Sequence, residues 1–250
     1  LGCDLHRSLE NWFKRVAVKM AQTGRLVCDP ADVSQFPWSD WDAVINKHVD
    51  EQFAKGSGGV RSLLSGSQYQ DVLRDRLAEA LHSCPLKTGS RLSFGHKSIF
   101  EYFLARAVVD FIQDAQSSVS VPPGVVRVDL GALQFLQEMA SPEFLARCEQ
   151  TVATSQHSGA VAATALAGLN HGMEYRSWRG AQLAHADLTH ASLAHTDLTG
   201  ANLHRAILAE CNFDGAIMNE ADLSQVVPVS RPASRSIMFC FRGCLFFEMF

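Results

Sequence analysis

The stretch AQLAH ADLTH ASLAH TDLTG ANLHR AILAE CNFDG AIMNE ADLSQ, residues 181–225, decides the reading of this chain. Its 45 residues make nine quintets (45 divided by 5). The third position is always large and apolar: Leu183, Leu188, Leu193, Leu198, Leu203, Leu208, Phe213, Met218 and Leu223. The first is always small: Ala181, Ala186, Ala191, Thr196, Ala201, Ala206, Cys211, Ala216 and Ala221. A period of five suits neither regular element. On an α-helix, at about 100° per residue, steps of five precess by about 140°, so the leucines would spiral and form no stripe. On a strand an odd period sends successive leucines to opposite faces. A coil with one inward pair per quintet satisfies the pattern. The small residue lets backbones approach and the large one fills the axis.

These quintets resemble the pentapeptide-repeat family, whose pattern is Ala-Asp/Asn-Leu-x-x. The resemblance covers residues 181–225 and implies a right-handed, four-sided β-helix with four quintets per coil. Residues twenty apart would then stack, Leu183, Leu203 and Leu223 in one column and Ala181, Ala201 and Ala221 in the column beside it. Nine quintets make about 2.25 coils, on the order of 11 Å at a strand spacing of ~4.8 Å. Such a stub has bare ends and needs caps.

Upstream the pattern turns helical. Leu9, Trp12, Phe13, Val16 and Met20 mark one face of an amphipathic helix. Asp29-Pro30 is a turn. Ser39-x-x-Asp42 opens a helix carrying Trp41 to Phe53, residues 55–59 are a flexible linker, and Tyr69 to Leu81 stripe another helix. Cys84-Pro85-Leu86 and Arg91-Leu92-Ser93-Phe94 flank Thr88-Gly89 as a short β-hairpin. A helix follows whose apolar face is Ile99, Phe100, Phe103, Leu104, Ala107 and Phe111; residues 114–124 are a loop. Asp129 caps a helix to Ala140, and Ser141-Pro142 starts the next with a hydroxyl N-cap and Pro at N1. Ser158 starts a third, Ala160 to Asn170, apolar on all sides and therefore expected to bury itself against the first coil.

The segment 84–105 resembles the end of the winged-helix region of NACHT-type STAND NTPases. It keeps Pro85, Leu86, Phe94, His96, Lys97, Ser98, Glu101, Tyr102, Phe103 and Ala105 of that pattern. The Trp12-to-Met20 helix and the connection over 125–225 are similar to other parts of the same architecture. The resemblance implies an ATPase domain upstream, and His96 as the residue that would sense nucleotide phosphates there. Nothing in the chain matches G-x-x-x-x-G-K-[ST], so no phosphate cradle is expected within it and His96 could sense nucleotide only beside that domain. Alone, it is read as a histidine that caps or packs at the hairpin–helix junction. The start at Leu1, neither methionine nor signal peptide, fits a piece of a longer protein.

Composition narrows the function classes. Of 250 residues, 47% are hydrophobic and 19% charged, with a net charge of −4. That excludes a chain built mainly on a basic face for phosphate backbone, and a wholly disordered one. No run of ~18 uncharged apolar residues exists, so no membrane span is expected. Seven cysteines read as reduced cytosolic thiols. No nucleophile motif occurs, so no catalytic residue and no cofactor are expected.

His185, His190, His195 and His204 decorate the quintets. The first three share one quintet position on successive sides, so they would diverge, and no metal site is expected from them. Cys240 and Cys244 lack a second ligand pair. The quintets carry Asp187, Asp197, Glu210, Asp214, Glu220 and Asp222 against Arg205, an acidic, solvated face.

The expected fold is α+β, with domains at 1–113 (helical, winged-helix-like), 125–172 (connecting helices), 176–225 (β-helix) and 226–250 (an irregular hydrophobic tail). The expected function is a non-catalytic, cytoplasmic scaffold with a protein partner, no nucleic acid and no membrane. Two alternatives stand beside it: a nucleotide-responsive switch working with an upstream ATPase, and a DNA mimic that inhibits a topoisomerase. Two coils are short for that mimicry, since duplex carries about one charge per 1.7 Å.

Overall fold

A computed structural model describes residues 3–33, 86–87, 91–114, 117, 119–127 and 129–227. The helices expected over 41–53 and 69–81, the linker at 55–59, the hairpin turn, Pro85, and the tail from 228 with Cys240 and Cys244 lie outside the described residues. The chain forms two compact units that divide between Phe103 and Leu104.

In the first unit, helix α1 (Cys3–Thr23) buries Trp12, Phe13, Val16 and Met20 of the predicted face, with Ala17 beside them, while Leu9 is half-buried. Lys14 is buried as well, and Glu10 answers its charge at 2.8 Å from the preceding turn. The helix stops where Gly24 takes φ +64°. The amide of Arg25 donates to Met20 O and that of Gly24 to Ala21 O, closing the last turn. A 3-10 turn follows at Pro30–Asp32, capped by the Asp29 carboxylate. Strands β1 (Leu86–Lys87) and β2 (Ser93–Phe94) pair antiparallel as the expected hairpin, with Leu86 opposite Phe94. Cys28 adds one antiparallel bridge to Leu92. Phe13, Phe94, Phe100 and Phe103 interlock, the Phe13 and Phe103 rings 5.0 Å apart.

Helix α2 (Lys97–Gln113) starts in the first unit and continues into the second. Its buried arc is wider than the predicted stripe. Ala105, Val108, Val109 and Ile112 are buried with Leu104 and Ala107, whereas Phe111 is only half-buried.

In the second unit, a 3-10 turn at Pro123–Val125 leads to α3 (Leu130–Met139), α4 (Pro142–Thr154) and α5 (Gly159–Gly168). Asp129 and Ser141 cap α3 and α4 as expected, accepting from the amides of Gly131 and Phe144. Two details of α5 differ from the sequence reading. The Ser158 hydroxyl does not cap it but lies 2.8 Å from the Ser155 hydroxyl. The helix also ends at Gly168, because Asn170 turns left-handed (φ 51°) and lets the His171 amide donate back to Leu166 O.

From Ser177 to Val227 the chain returns over itself every twenty residues in parallel bridges, among them Ser177–Asp197–Ile217, Gln182–Asn202–Asp222 and Ile207–Val227. The Leu183 amide donates to Asn202 O, the His185 amide to His204 O, and the Asn202 amide back to Ala181 O. Corners are as regular as sides. Tyr175, His185, His190, His195, Arg205, Glu210, Glu220 and Gln225 have φ between 55° and 62°, and Gly180, Gly200 and Gly215 take the same phase. From Gly180 onward each corner is a tight turn closed by a bond such as Ala186 N–H to Leu183 O. A single non-glycine residue in this region costs about 1–2 kcal/mol, and the ladder outweighs it.

Helix α5 packs on the first coil. The Thr164 hydroxyl donates to Ala160 O and accepts the Asp187 amide at 3.0 Å. At Gly159 a Cβ would stand 3.0 Å from Gln182 O, so any larger residue would have to push the helix start or the coil backbone back by a few tenths of an ångström.

Two substitutions test this arrangement. Leu198→Ala, at a site with no exposed surface, is expected to destabilise the coil by about 2–5 kcal/mol in a urea titration. Thr164→Val, which keeps the shape and removes the acceptor from the Asp187 amide, is expected to cost about 1–3 kcal/mol.

Candidate functional site

The coil divides its residues by position. All third positions, Leu183, Leu188, Leu193, Leu198, Leu203, Leu208, Phe213, Met218 and Leu223, are buried, and so are the small first positions. The column Leu183, Leu203 and Leu223, with Ala181, Ala201 and Ala221 beside it, follows the bridge register. The remaining positions, the buried Ala194 apart, are half-buried or exposed and form the candidate interaction surface.

Two first positions carry a heteroatom and use it. The Thr196 hydroxyl donates to Met173 O at 2.9 Å and the Cys211 thiol to Leu188 O at 2.8 Å. Each reaches the third position of the coil before it, 23 residues back. Burial raises the Cys211 thiol to about 12, so it stays a neutral donor. Burial likewise raises Cys148 to about 12 and Cys28 to about 11, the latter with Asp32 and Asp29 nearby.

At the second position a carboxylate or amide oxygen ties down its own corner. Asp187 accepts from the Thr189 amide and hydroxyl, Asp197 from those of Thr199, Asn202 from the His204 amide and Asp222 from the Ser224 amide. This is the local Asx-turn chemistry that makes Asp or Asn useful there. Arg127 reaches from the segment before α3 to Asp187 at 3.2 Å and Thr189 O at 2.9 Å.

The corner histidines find different neighbours, as their quintet phase implies. His190 pairs with Glu210 at 3.1 Å. His195 stacks on Tyr175 with ring centres 4.8 Å apart, and it occupies the space a Cβ at Gly215 would need. His185 lies edge to face with His204, 6.0 Å between centres. Among the described residues no three His, Cys, Asp or Glu side chains gather as a metal site would require.

Sequence reasoning missed part of the core. Met173 and Trp178, five-residue steps before Leu183, are buried and extend its third-position phase. The phase was readable, but His171 and Arg176 stand where the small residue belongs. Those two instead hold the Glu149 carboxylate of α4, His171 at 2.8 Å and Arg176 at 2.7 Å.

In the first unit His96 is exposed at the head of α2, its Nδ1 3.3 Å from the Ser98 hydroxyl. Lys97 and Glu101 pair at 2.9 Å one turn apart. A cavity of about 450 Å³ is lined by Thr23, Arg25, Cys28, Asp29, Asp32 and Arg91, with charges of both signs. No described helix is long and apolar enough to cross a membrane.

Residues 177–205 and 186–225 match the Pentapeptide repeats family, with 8 copies. No curated protein matches the chain. Pentapeptide repeats, a protein-interaction type of repeat, thus occupy residues 177–225 of this chain.

The Asp197 carboxyl is held down to about 2, first by the Thr199 hydroxyl, then by the Thr199 amide and Arg179. A folded value below the unfolded one (about 3.9) gives stability that is complete above the unfolded value. That stability drains away as the pH falls toward about 2. Acid titration monitored by circular dichroism should therefore show a steeper loss below pH ~4 in the wild type than in Asp197→Asn, whose side chain still accepts but does not titrate.

Proposed function

We propose that this chain is a non-catalytic scaffold whose repeat, coiled as a right-handed quadrilateral β-helix, presents its outer sides to a protein partner. The separation of roles within each quintet carries this reading. First and third positions are spent on the core, and backbone amides on the ladder. The outward residues Arg179, His190, Glu210, Asp214 and Glu220 change chemistry from side to side, which suits specific contact more than a uniform coat. The rigid ladder holds them with little freedom to lose on binding.

We place the chain within a longer cytoplasmic signalling protein of NACHT type, with the ATPase upstream. Leu86, Phe94, His96, Lys97, Ser98, Glu101, Tyr102, Phe103 and Ala105, set on one hairpin and the helix after it, support that placement. The second reading, a nucleotide-responsive switch, draws on the exposed His96 ring at the head of α2.

One titration can overturn the preference for the scaffold. Isothermal calorimetry of ATP or ADP into this chain is expected to be flat. Tight binding abolished in His96→Ala would favour the switch. For the scaffold, a photo-crosslinker at Asn219 is expected to trap a partner, and charge reversal at Glu220 to abolish the adduct with the melting temperature unchanged. An adduct indifferent to every outward substitution would remove the coil from the contact surface.

A further inference from the structure

We propose that His185 and His204 form a surface site for one divalent transition-metal ion of the imidazole-preferring class, nickel, copper or zinc. The two residues are nineteen apart and are neighbours only because the coil stacks. The His185 amide donates to His204 O at 2.9 Å, which sets both side chains on one side of adjacent coils. Their rings meet edge to face, 84° apart, with centres 6.0 Å from each other. Two imidazoles each holding one ion at about 2.1 Å have ring centres roughly 4.5–6.4 Å apart, depending on the angle at the metal. The observed separation lies inside that window.

A second observation points the same way. His204 Nδ1 lies 2.7 Å from the Ser224 hydroxyl. The Ser224 amide in turn donates to the Asp222 carboxylate at 2.9 Å. With the Ser224 oxygen accepting from His204 Nδ1–H, the Nε2 lone pair of His204 is left as the ligand atom. A metal-binding imidazole is ordinarily oriented in this way, by a hydrogen bond to its other nitrogen. His185 and His204 are the two protein ligands, and the other coordination positions are open to water. An ion held there would clasp the first coil to the second.

Nickel is the probe, added to the full chain after its accessible thiols have been alkylated. Calorimetry is expected to show a binding step that weakens at least about tenfold in His185→Asn and in His204→Gln. Asn keeps a residue tolerant of the left-handed corner at 185. His195→Gln, on another side of the coil, is expected to bind nickel as the wild type does. Ser224→Ala should weaken binding, and Ser224→Thr, which keeps the hydroxyl, should restore it. Saturating nickel is expected to raise the melting temperature of the wild type and to leave those of His185→Asn and His204→Gln unchanged. Equal nickel binding by the wild type and both of these variants, or an equal loss in His195→Gln, would overturn the site.

Discussion

One backbone constraint organises the second unit: every fifth residue from Tyr175 to Gln225 passes through the left-handed region. That corner turns the chain after each short side and brings it back over itself after twenty residues. The ladder, the inward leucine columns and the outward placement of histidines and carboxylates all follow from it. Left-handed backbone is unfavourable for most residues, yet only Gly180, Gly200 and Gly215 among these corners are glycine. The amides of Tyr175, His185, His190, His195 and Arg205 donate to the adjacent coil, and Asp187, Asn202 and Asp222 at the second position bind the amide two residues on.

The same geometry explains how the array begins. Asn170, which ends α5, already has the left-handed phase that recurs at 175, 180 and 185. The helix cap and the first corner therefore use one conformation, and the chain passes from helix to coil without a long linker. Because α5 is mostly alanine and glycine with Thr164 among them, it lies close enough to receive the Asp187 amide. His171 and Arg176 tie the same junction to α4 through Glu149. A stub of little more than two coils thus meets packed, hydrogen-bonded structure at its beginning, which a one-dimensional stack requires.

The sides of the coil are chemically unlike one another although the backbone beneath them repeats. One carries Arg179 and Asp197 in a 2.9 Å ion pair, another His190 and Glu210, and a third the stacked Tyr175 and His195. Such a frame lets surface chemistry vary without disturbing the core, because outward positions contribute nothing to the leucine columns.

The quintet period was enough to name the inward residues, because a period of five fails on helix and strand alike and leaves only a coil. Local signals were equally direct where chemistry is local: Asp129 and Ser141 cap their helices, the apolar spacing of α1 marks its buried face, and Leu86–Lys87 pairs with Ser93–Phe94 as the hairpin pattern predicts. What the sequence left open depends on which residues meet across the coil or between helices. Met173 and Trp178 join the core without the small partner that marks the other quintets. Arg127 finds Asp187 sixty residues away. The contact of His185 with His204 crosses unequal quintet positions, fifth against fourth, so only stacked coils reveal it. The sequence by itself determined the period and its core. The tertiary structure decided the neighbours, because side chains nineteen to sixty residues apart are brought together by backbone stacking and not by their own spacing.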